Sequence, residues 1–174
     1  MMKIILNPDN LRKEECQIYH KVRGVVEQNN GNILIGKEGN KYVFPGGKIE
    51  KGESPRQAIK RELKEETGIE IEENCFVEKC ELESYLKDFY DYREKKEKKR
   101  YMSTILYYVK TTDSINLQNQ NLTIGEIEQG YKILSLSKEQ LKKVILEDHS
   151  MAKNGKYFDI ENKLILEKII NEEG

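Results

Sequence analysis

Residues 47–69 read GKIEKGESPRQAIKRELKEETGI, and this segment carries most of the information in the chain. Ser54 is a good helix N-cap, and Gln57 three residues later completes a capping box. Gly68 is the residue type that commonly ends a helix. The spacing therefore predicts a helix over Pro55–Thr67, with proline at its first position.

Three glutamates fall on one face of this predicted helix. At about 100° per residue, Glu62, Glu65 and Glu66 lie within an arc of about 100°. Arg61, four residues before Glu65, can pair with it and fix its direction. Carboxylates this close repel each other unless a cation lies between them, and their hard oxygen atoms suit Mg²⁺ or Mn²⁺. The glycines at 46–47 let backbone groups approach a ligand, so the pattern predicts a metal site for phosphate chemistry.

The full spacing of the segment resembles the Nudix box. Gly47 is followed by five residues and Glu53, then by seven residues and the run RELKEETGI at residues 61–69. Residues 42–47 (YVFPGG) are similar to the family's aromatic-x-x-Pro-Gly-Gly lead-in. The resemblance implies the Nudix fold, of the α/β (α+β) class, with a mixed β-sheet sandwiched between helices. It also implies Mg²⁺- or Mn²⁺-dependent hydrolysis of a pyrophosphate bond in a nucleoside diphosphate derivative: a nucleoside triphosphate, a dinucleoside polyphosphate or a nucleotide sugar.

The resemblance implies a role for each charged residue at the end of the box. Glu62 and Glu66 are expected to be the main metal ligands, together with the backbone carbonyl of Gly46. Glu65 is expected to be a further metal ligand or the general base, because members of the family differ in which residue acts as the base. Arg61 is expected to orient Glu65. Catalysis should therefore depend on Arg61 and the three glutamates.

Other acids are assigned supporting roles by the same resemblance. Glu53 is expected to support the loop before the helix. Many members of the family draw one more metal ligand from a later loop, where Glu126 and Glu128 are the candidates and Glu126 is preferred. The alternative is that both side chains only solvate a loop, since late loops vary most within a fold.

Aromatic residues near the box are candidates for binding the substrate. A nucleobase could stack on Tyr42, Phe44 or Tyr85. Aromatic residues near strand ends more often belong to the hydrophobic core, so both interpretations stay open for each ring.

The remainder of the chain predicts strands and two more helices. Strand-like runs with β-branched and aromatic residues lie at residues 2–6, 17–27, 32–36, 75–86, 101–110 and 131–136, and residues 41–44 lead into the glycine turn. The charged run DYREKKEKKR at residues 91–100 is expected to be a solvated hairpin connection. The alternative is that the basic residues within 93–100 bind phosphate or RNA electrostatically. A capping box predicts a helix over residues 137–146, and apolar spacing predicts another over about residues 160–170. No repeat or linker divides the chain, so one domain over residues 1–174 is expected.

Composition restricts the partners. The chain has 174 residues, 35% of them charged, and its net charge of −1 gives no global attraction to nucleic acid or to anionic lipid. Three cysteines without metal-ligand spacing are typical of reduced thiols. No window could span a membrane, and a cytoplasmic location is expected. The expected partner is a nucleotide-type small molecule; exposed strand edges permit a homodimer without requiring one.

Two alternatives to hydrolysis share this fold. A non-catalytic Nudix domain could sense a nucleotide, but such domains usually lose acids of the box, and this chain retains them all. An isomerase acting on an isoprenoid diphosphate would call for a catalytic cysteine and a second acidic site, and no cysteine here lies in such a motif.

Overall fold

The computed structural model describes residues 1–172, in which seven strands form one mixed sheet with four α-helices packed around it. The strands are β1 Met2–Leu6, β2 Gln17–Gln28, β3 Ile33–Glu38, β4 Lys41–Val43, β5 Val77–Asp91, β6 Lys96–Thr111 and β7 Lys132–Leu136. The helices are α1 Pro55–Thr67, α2 Ile124–Glu128, α3 Lys138–Leu146 and α4 Gly155–Ile165, the last continuing into a π-helical turn at Leu166–Ile170. Within residues 1–172 no helix has the length and apolarity needed to cross a bilayer.

The sheet is mixed in strand direction. Its order is β1-β5-β6-β2-β3-β4, and β7 also pairs with β3. The β1–β5 and β2–β6 pairs are parallel, whereas β5–β6, β3–β4 and β3–β7 are antiparallel. Together with helices on both faces, this order confirms the predicted α+β sandwich.

Alternating residues of the central strands divide the core between the two faces of the sheet. Val22 and Val26 of β2 pack in a cluster with α1, whose members are Ala58, Ile59 and Leu63. Val25, between them, packs in the cluster on the opposite face, which α3 and α4 supply with Leu141, Ile145 and Ile165. Because side chains along a strand point alternately to the two faces, one strand can bury apolar groups under both helical layers.

The caps predicted for the box helix are present. Helix α1 covers Pro55–Thr67, as expected from the sequence. Ser54 Oγ accepts the Gln57 N–H at 3.2 Å, and Gln57 Oε1 accepts the Ser54 N–H at 2.9 Å. Gly68 ends the helix in the left-handed region, at φ 72°.

Three expectations differ from the structure. The connection at residues 91–100 was predicted too long: β5 and β6 pair as far as Asp91 and Lys96, and only residues 92–95 form the turn. The final helix begins at Gly155, five residues before the predicted start. Helix α2 lies in a segment for which no helix was predicted. That residues 1–174 form one domain stays a prediction.

Candidate active site

The glycine turn before α1 is fixed to strand β2. The Val22 N–H donates to Gly47 O at 2.9 Å, and the Gly24 N–H donates to Pro45 O at 2.8 Å. Gly46 has φ 140°, and a Cβ there would lie 2.2 Å from the Val22 carbonyl oxygen. Only glycine fits this backbone, so the turn has a fixed position relative to the sheet.

Two carboxylates of α1 are buried against this turn. Glu66 Oε2 accepts the Gly46 N–H at 3.0 Å, and a Cβ on Gly47 would lie 2.4 Å from Glu62 Oε1. Burial raises the pKa of Glu66 well above its ordinary value, and the charge of Glu62 raises it further. Burial also raises the pKa of Glu62. Two neighbouring carboxylates that are both buried repel each other when ionised, so a cation bound between them would stabilise their charged forms.

Arg61 connects three carboxylates. Its Nε and Nη2 atoms donate to the two oxygens of Glu53 at 2.8 and 3.0 Å. Its Nη1 atom donates to Glu62 Oε1 at 2.8 Å and to Glu65 Oε2 at 3.2 Å. The bidentate pairing lowers the pKa of Glu53 and fixes the direction of the guanidinium. The expected Arg61–Glu65 contact is therefore present, and Glu53 holds the arginine from the loop side.

A buried cluster that the sequence interpretation missed supports the turn from the opposite face of the sheet. Arg23 Nη1 donates to Gly46 O at 2.6 Å and to Phe44 O at 3.3 Å. Its Nε atom donates to Glu161 Oε1 at 2.9 Å, and Lys21 Nζ donates to Glu161 Oε2 at 2.7 Å. The available signal was the presence of two basic residues at alternate positions, 21 and 23, next to the valines of the predicted strand.

The late acid Glu126 reaches the same region from α2. It lines a cavity of about 610 Å³, here called the acidic cavity, whose other lining residues include Gly46, Gly47, Arg61, Glu62 and Glu65. Its carboxylate also accepts hydrogen bonds from the Thr123 N–H at 2.6 Å and the Thr123 hydroxyl at 2.9 Å, and so caps α2. Glu128 is exposed to solvent. Of the two candidates for a late ligand, the structure brings Glu126 to the box.

Glu66 and Glu65 line different cavities beside the glycine turn. Glu66 lines a second cavity of about 220 Å³, which shares Gly46, Gly47 and Glu126 with the acidic cavity and also contains Arg23. The box carboxylates are thus distributed around the glycine turn and do not all face one space.

The three candidate stacking rings lie outside the acidic cavity. Phe44 is fully buried in the core, so neither face of its ring is open to a base. Tyr42 is half-buried, with its ring edge-on to that of His149 at 5.3 Å between centroids. Tyr85 lies edge-on to Tyr101 at 5.0 Å and lines an apolar cavity of about 490 Å³. That cavity adjoins the cavity of Glu66, since both are lined by Lys21, Phe89, Met102 and Phe158.

The donor set fits a hard divalent cation. Within residues 1–172, no group of three or more His, Cys, Asp or Glu side chains is arranged to hold a metal ion as the side chains stand. Glu62 and Glu65 are directed to Arg61, and Glu66 to the Gly46 N–H. Carboxylate and carbonyl oxygens are nevertheless the ligands that Mg²⁺ and Mn²⁺ prefer, and the raised pKa values of Glu62 and Glu66 mark a place that lacks positive charge.

Comparison with known proteins identifies the class. The profile of the NUDIX domain family matches residues 19–152, and the chain belongs to this family. It is 44% identical over 66 residues to an 8-oxo-dGTP diphosphatase of Escherichia coli (strain K12), covering 34% of this chain and 51% of that protein. It is 34% identical over 73 residues to an ADP-ribose pyrophosphatase of Methanocaldococcus jannaschii, covering 38% and 43%. The chain thus spans about half the length of these curated relatives.

The fold agrees with a solved member of the family. The NUDIX domain of Shewanella oneidensis NrtR, solved in complex with ADP ribose, superposes with a TM-score of 0.56 at 15% sequence identity. The match covers 95% of both chains. At this identity the likeness concerns the fold alone.

Proposed function

We propose that this protein is a Nudix pyrophosphohydrolase, using Mg²⁺ or Mn²⁺ to cleave a pyrophosphate bond in a nucleoside diphosphate derivative. The candidate substrates are a nucleoside triphosphate, a dinucleoside polyphosphate and a nucleotide sugar. One observation carries the proposal: α1 holds Glu62, Glu65 and Glu66 around a glycine turn that is anchored to the sheet. Relatives named as a diphosphatase and a pyrophosphatase support the same class.

The roles follow from how each side chain is held. Glu62, Glu66, Glu126 and the Gly46 carbonyl would hold the metal, which when bound activates water and stabilises the departing phosphate. Glu65 is the more exposed of the box acids and receives only one hydrogen bond from Arg61, so it is free to take a proton from water.

The apolar side of the site suits the remainder of the substrate. The cavity that contains Tyr85 adjoins the one that contains Glu66, and apolar and aromatic side chains dominate its lining. A nucleoside can lie there while its phosphates extend toward the glycine turn. Tyr85 is the candidate stacking residue that this arrangement favours.

Hydrolysis of a substrate panel tests the proposal. The protein is incubated with Mg²⁺ and nucleoside triphosphates, dinucleoside polyphosphates or nucleotide sugars, and phosphate release is measured after coupling. Glu66→Gln keeps an oxygen that can accept the Gly46 N–H but removes the charge, and we expect it to lower kcat at least about 100-fold. The matched control is Glu72→Gln, which changes an exposed glutamate beyond the box and should leave kcat unchanged.

The alternative function, a non-catalytic domain that senses a nucleotide, predicts a different result. Tight calorimetric binding of one panel member by the wild-type protein, with no turnover of any member, would replace the hydrolase with the sensor. Turnover that is insensitive to Glu66→Gln would also contradict the proposed site.

A further inference from the structure

The tip of the β5–β6 hairpin reaches the acidic cavity. Arg93, the second residue of the turn at residues 92–95, lines this cavity together with Glu62 and Glu65. It also lines an adjoining cavity of about 250 Å³, which contains Tyr19, Lys48, Phe89 and Arg100. The hairpin therefore belongs to the wall of the site and is not an isolated solvated connection.

The backbone of the tip is held in place by one aspartate. Asp91 Oδ1 accepts the Arg93 N–H at 2.9 Å and the Glu94 N–H at 3.1 Å. The other oxygen, Oδ2, accepts from Arg100 Nη2 at 3.3 Å. These bonds fix the direction in which the chain presents Arg93.

The hairpin is also docked onto the loop before α4. Asn154 Oδ1 accepts the Tyr90 N–H at 2.7 Å, and Asn154 Nδ2 donates to Tyr90 O at 3.1 Å. The Lys153 ammonium lies 3.5 Å from the centroid of the Tyr90 ring, and Tyr92 packs edge-on to the same ring. The tip is therefore positioned by contacts with a different part of the chain, which lowers the cost of ordering it when a ligand binds.

Among the cations of residues 91–100, Arg93 and Lys95 have no acidic partner within residues 1–172, and of these two only Arg93 lines the acidic cavity. Lys96 and Lys98 pair with Glu94, and Arg100 pairs with Asp91. Throughout residues 1–172, no carboxylate forms an ion pair with the Arg93 guanidinium. An arginine with free donors at the wall of a cavity suits a phosphate group, which it can bind through two parallel hydrogen bonds.

We propose that Arg93 is a substrate-binding residue that grips a phosphate group of the nucleotide while the box acids act at the bond to be cleaved. This inference rests on the proposed function. The ligand class is the phosphate chain of a nucleotide derivative. The hairpin adds a cation, alongside Lys48 and Arg61, to a cavity wall that also carries four glutamates.

Steady-state kinetics on the panel substrate with the highest turnover test the proposal. Arg93→Gln should raise KM about tenfold and leave kcat within about twofold, because the contact is made equally before and during the reaction. Arg93→Lys keeps the charge but not the two parallel hydrogen bonds. Its KM should lie between that of the wild-type protein and that of Arg93→Gln. Lys99→Gln is the matched control: it removes one positive charge from the same hairpin at an exposed residue paired with Glu15, and KM should not change.

A binding measurement separates this proposal from the proposed function. Calorimetry with Mg²⁺ and imidodiphosphate, a pyrophosphate analogue that resists hydrolysis, should show about tenfold weaker binding to Arg93→Gln than to the wild-type protein. Turnover with unchanged KM in Arg93→Gln would overturn the role of Arg93 and leave the hydrolase standing. If Arg93→Gln bound imidodiphosphate more weakly than the wild-type protein, and the wild-type protein turned over no substrate, the role of Arg93 would be supported and the hydrolase overturned. A wild-type protein with neither turnover nor binding would overturn both.

Discussion

Lys21 is a buried cation in a strand that otherwise contributes to the core. Its ammonium group pairs with Glu161 at 2.7 Å, and both side chains are almost fully buried. Burial lowers the pKa of Lys21 to about 8, against an ordinary value of 10.5, although Glu161 opposes the shift. The charged form is therefore costly inside the protein, and this cost depends on pH.

The contribution of Lys21 to the free energy of unfolding should consequently rise as pH increases from about 8 to about 10.5. In this range the folded protein binds fewer protons at Lys21 than the unfolded chain does, so deprotonation relieves a penalty that is fully present below pH 8. The gain is at most about 3 kcal/mol. Urea unfolding of the wild-type protein and of Lys21→Met at pH 7.5, 8.5 and 9.5 measures it. As pH rises, the free energy of unfolding of the wild-type protein should increase relative to that of Lys21→Met. A difference that does not change with pH would contradict the lowered pKa of Lys21.

Among the elements, α1 could be predicted to the residue because its signals are local. Ser54 and Gln57 cap each other, and Gly68 supplies the left-handed residue, so no distant contact is needed to define the ends. The Arg61–Glu65 contact could be predicted for the same reason, since the two residues are one helical turn apart.

The parts of the site that the sequence did not reveal depend on distant pairings. The contact between Arg23 and Gly46 joins a strand to a loop, and it can be recognised only after the face of β2 is known. The extent of the hairpin was not predicted because residues 96–100 are all charged, although residues 96–98 pair in regular register with residues 89–91 of β5. Helix α2 has only five residues, too few for a periodic pattern.

The C-terminal end of α1 offers a test of how tightly this element is packed. Gly68 and Gly52 both have positive φ, at 72° and 82°. A Cβ on Gly68 would lie 1.8 Å from the Asn116 carbonyl oxygen, whereas a Cβ on Gly52 meets no atom within 4 Å. Both alanine variants incur the backbone strain, of about 1 kcal/mol, and only Gly68→Ala adds a backbone clash.

Gly68→Ala should therefore destabilise the protein by several kcal/mol, and Gly52→Ala by about 1 kcal/mol. Chemical unfolding of both variants provides the comparison. Gly68→Ala should also reduce turnover, because the displaced loop bonds the end of α1: the Asn121 N–H donates to Glu65 O at 2.8 Å, and Gln120 Nε2 donates to Glu66 O at 2.7 Å. Equal losses of stability in the two variants would show that the loop containing Asn116 moves aside at no measurable cost in free energy.

At the scale of the whole molecule, Gly46 connects the helical layers on the two faces of the sheet through its hydrogen bonds. The Gly46 N–H donates to Glu66, which belongs to α1 on one face of the sheet. The Gly46 carbonyl accepts from Arg23, which Glu161 of α4 holds on the other face. Gly46, whose carbonyl is expected to bind the metal, is thus oriented by contacts from both faces of the sheet. A change in α4 should therefore alter the site, although α4 contributes no residue to the acidic cavity.

Glu161→Gln should accordingly impair both stability and turnover. It leaves Lys21 and Arg23 buried without their shared carboxylate, and removal of one partner from a buried ion pair costs about 3–5 kcal/mol. Adding Lys21→Met should recover part of the lost stability, because one unpaired charge is then removed. It should not recover turnover, because Arg23 still lacks the partner that directs it to the Gly46 carbonyl. Glu72→Gln, which breaks the exposed pair with Lys60, should change stability by no more than about 0.5 kcal/mol. If Glu161→Gln behaved like Glu72→Gln in urea unfolding and in kcat, the position of the glycine turn would not depend on α4.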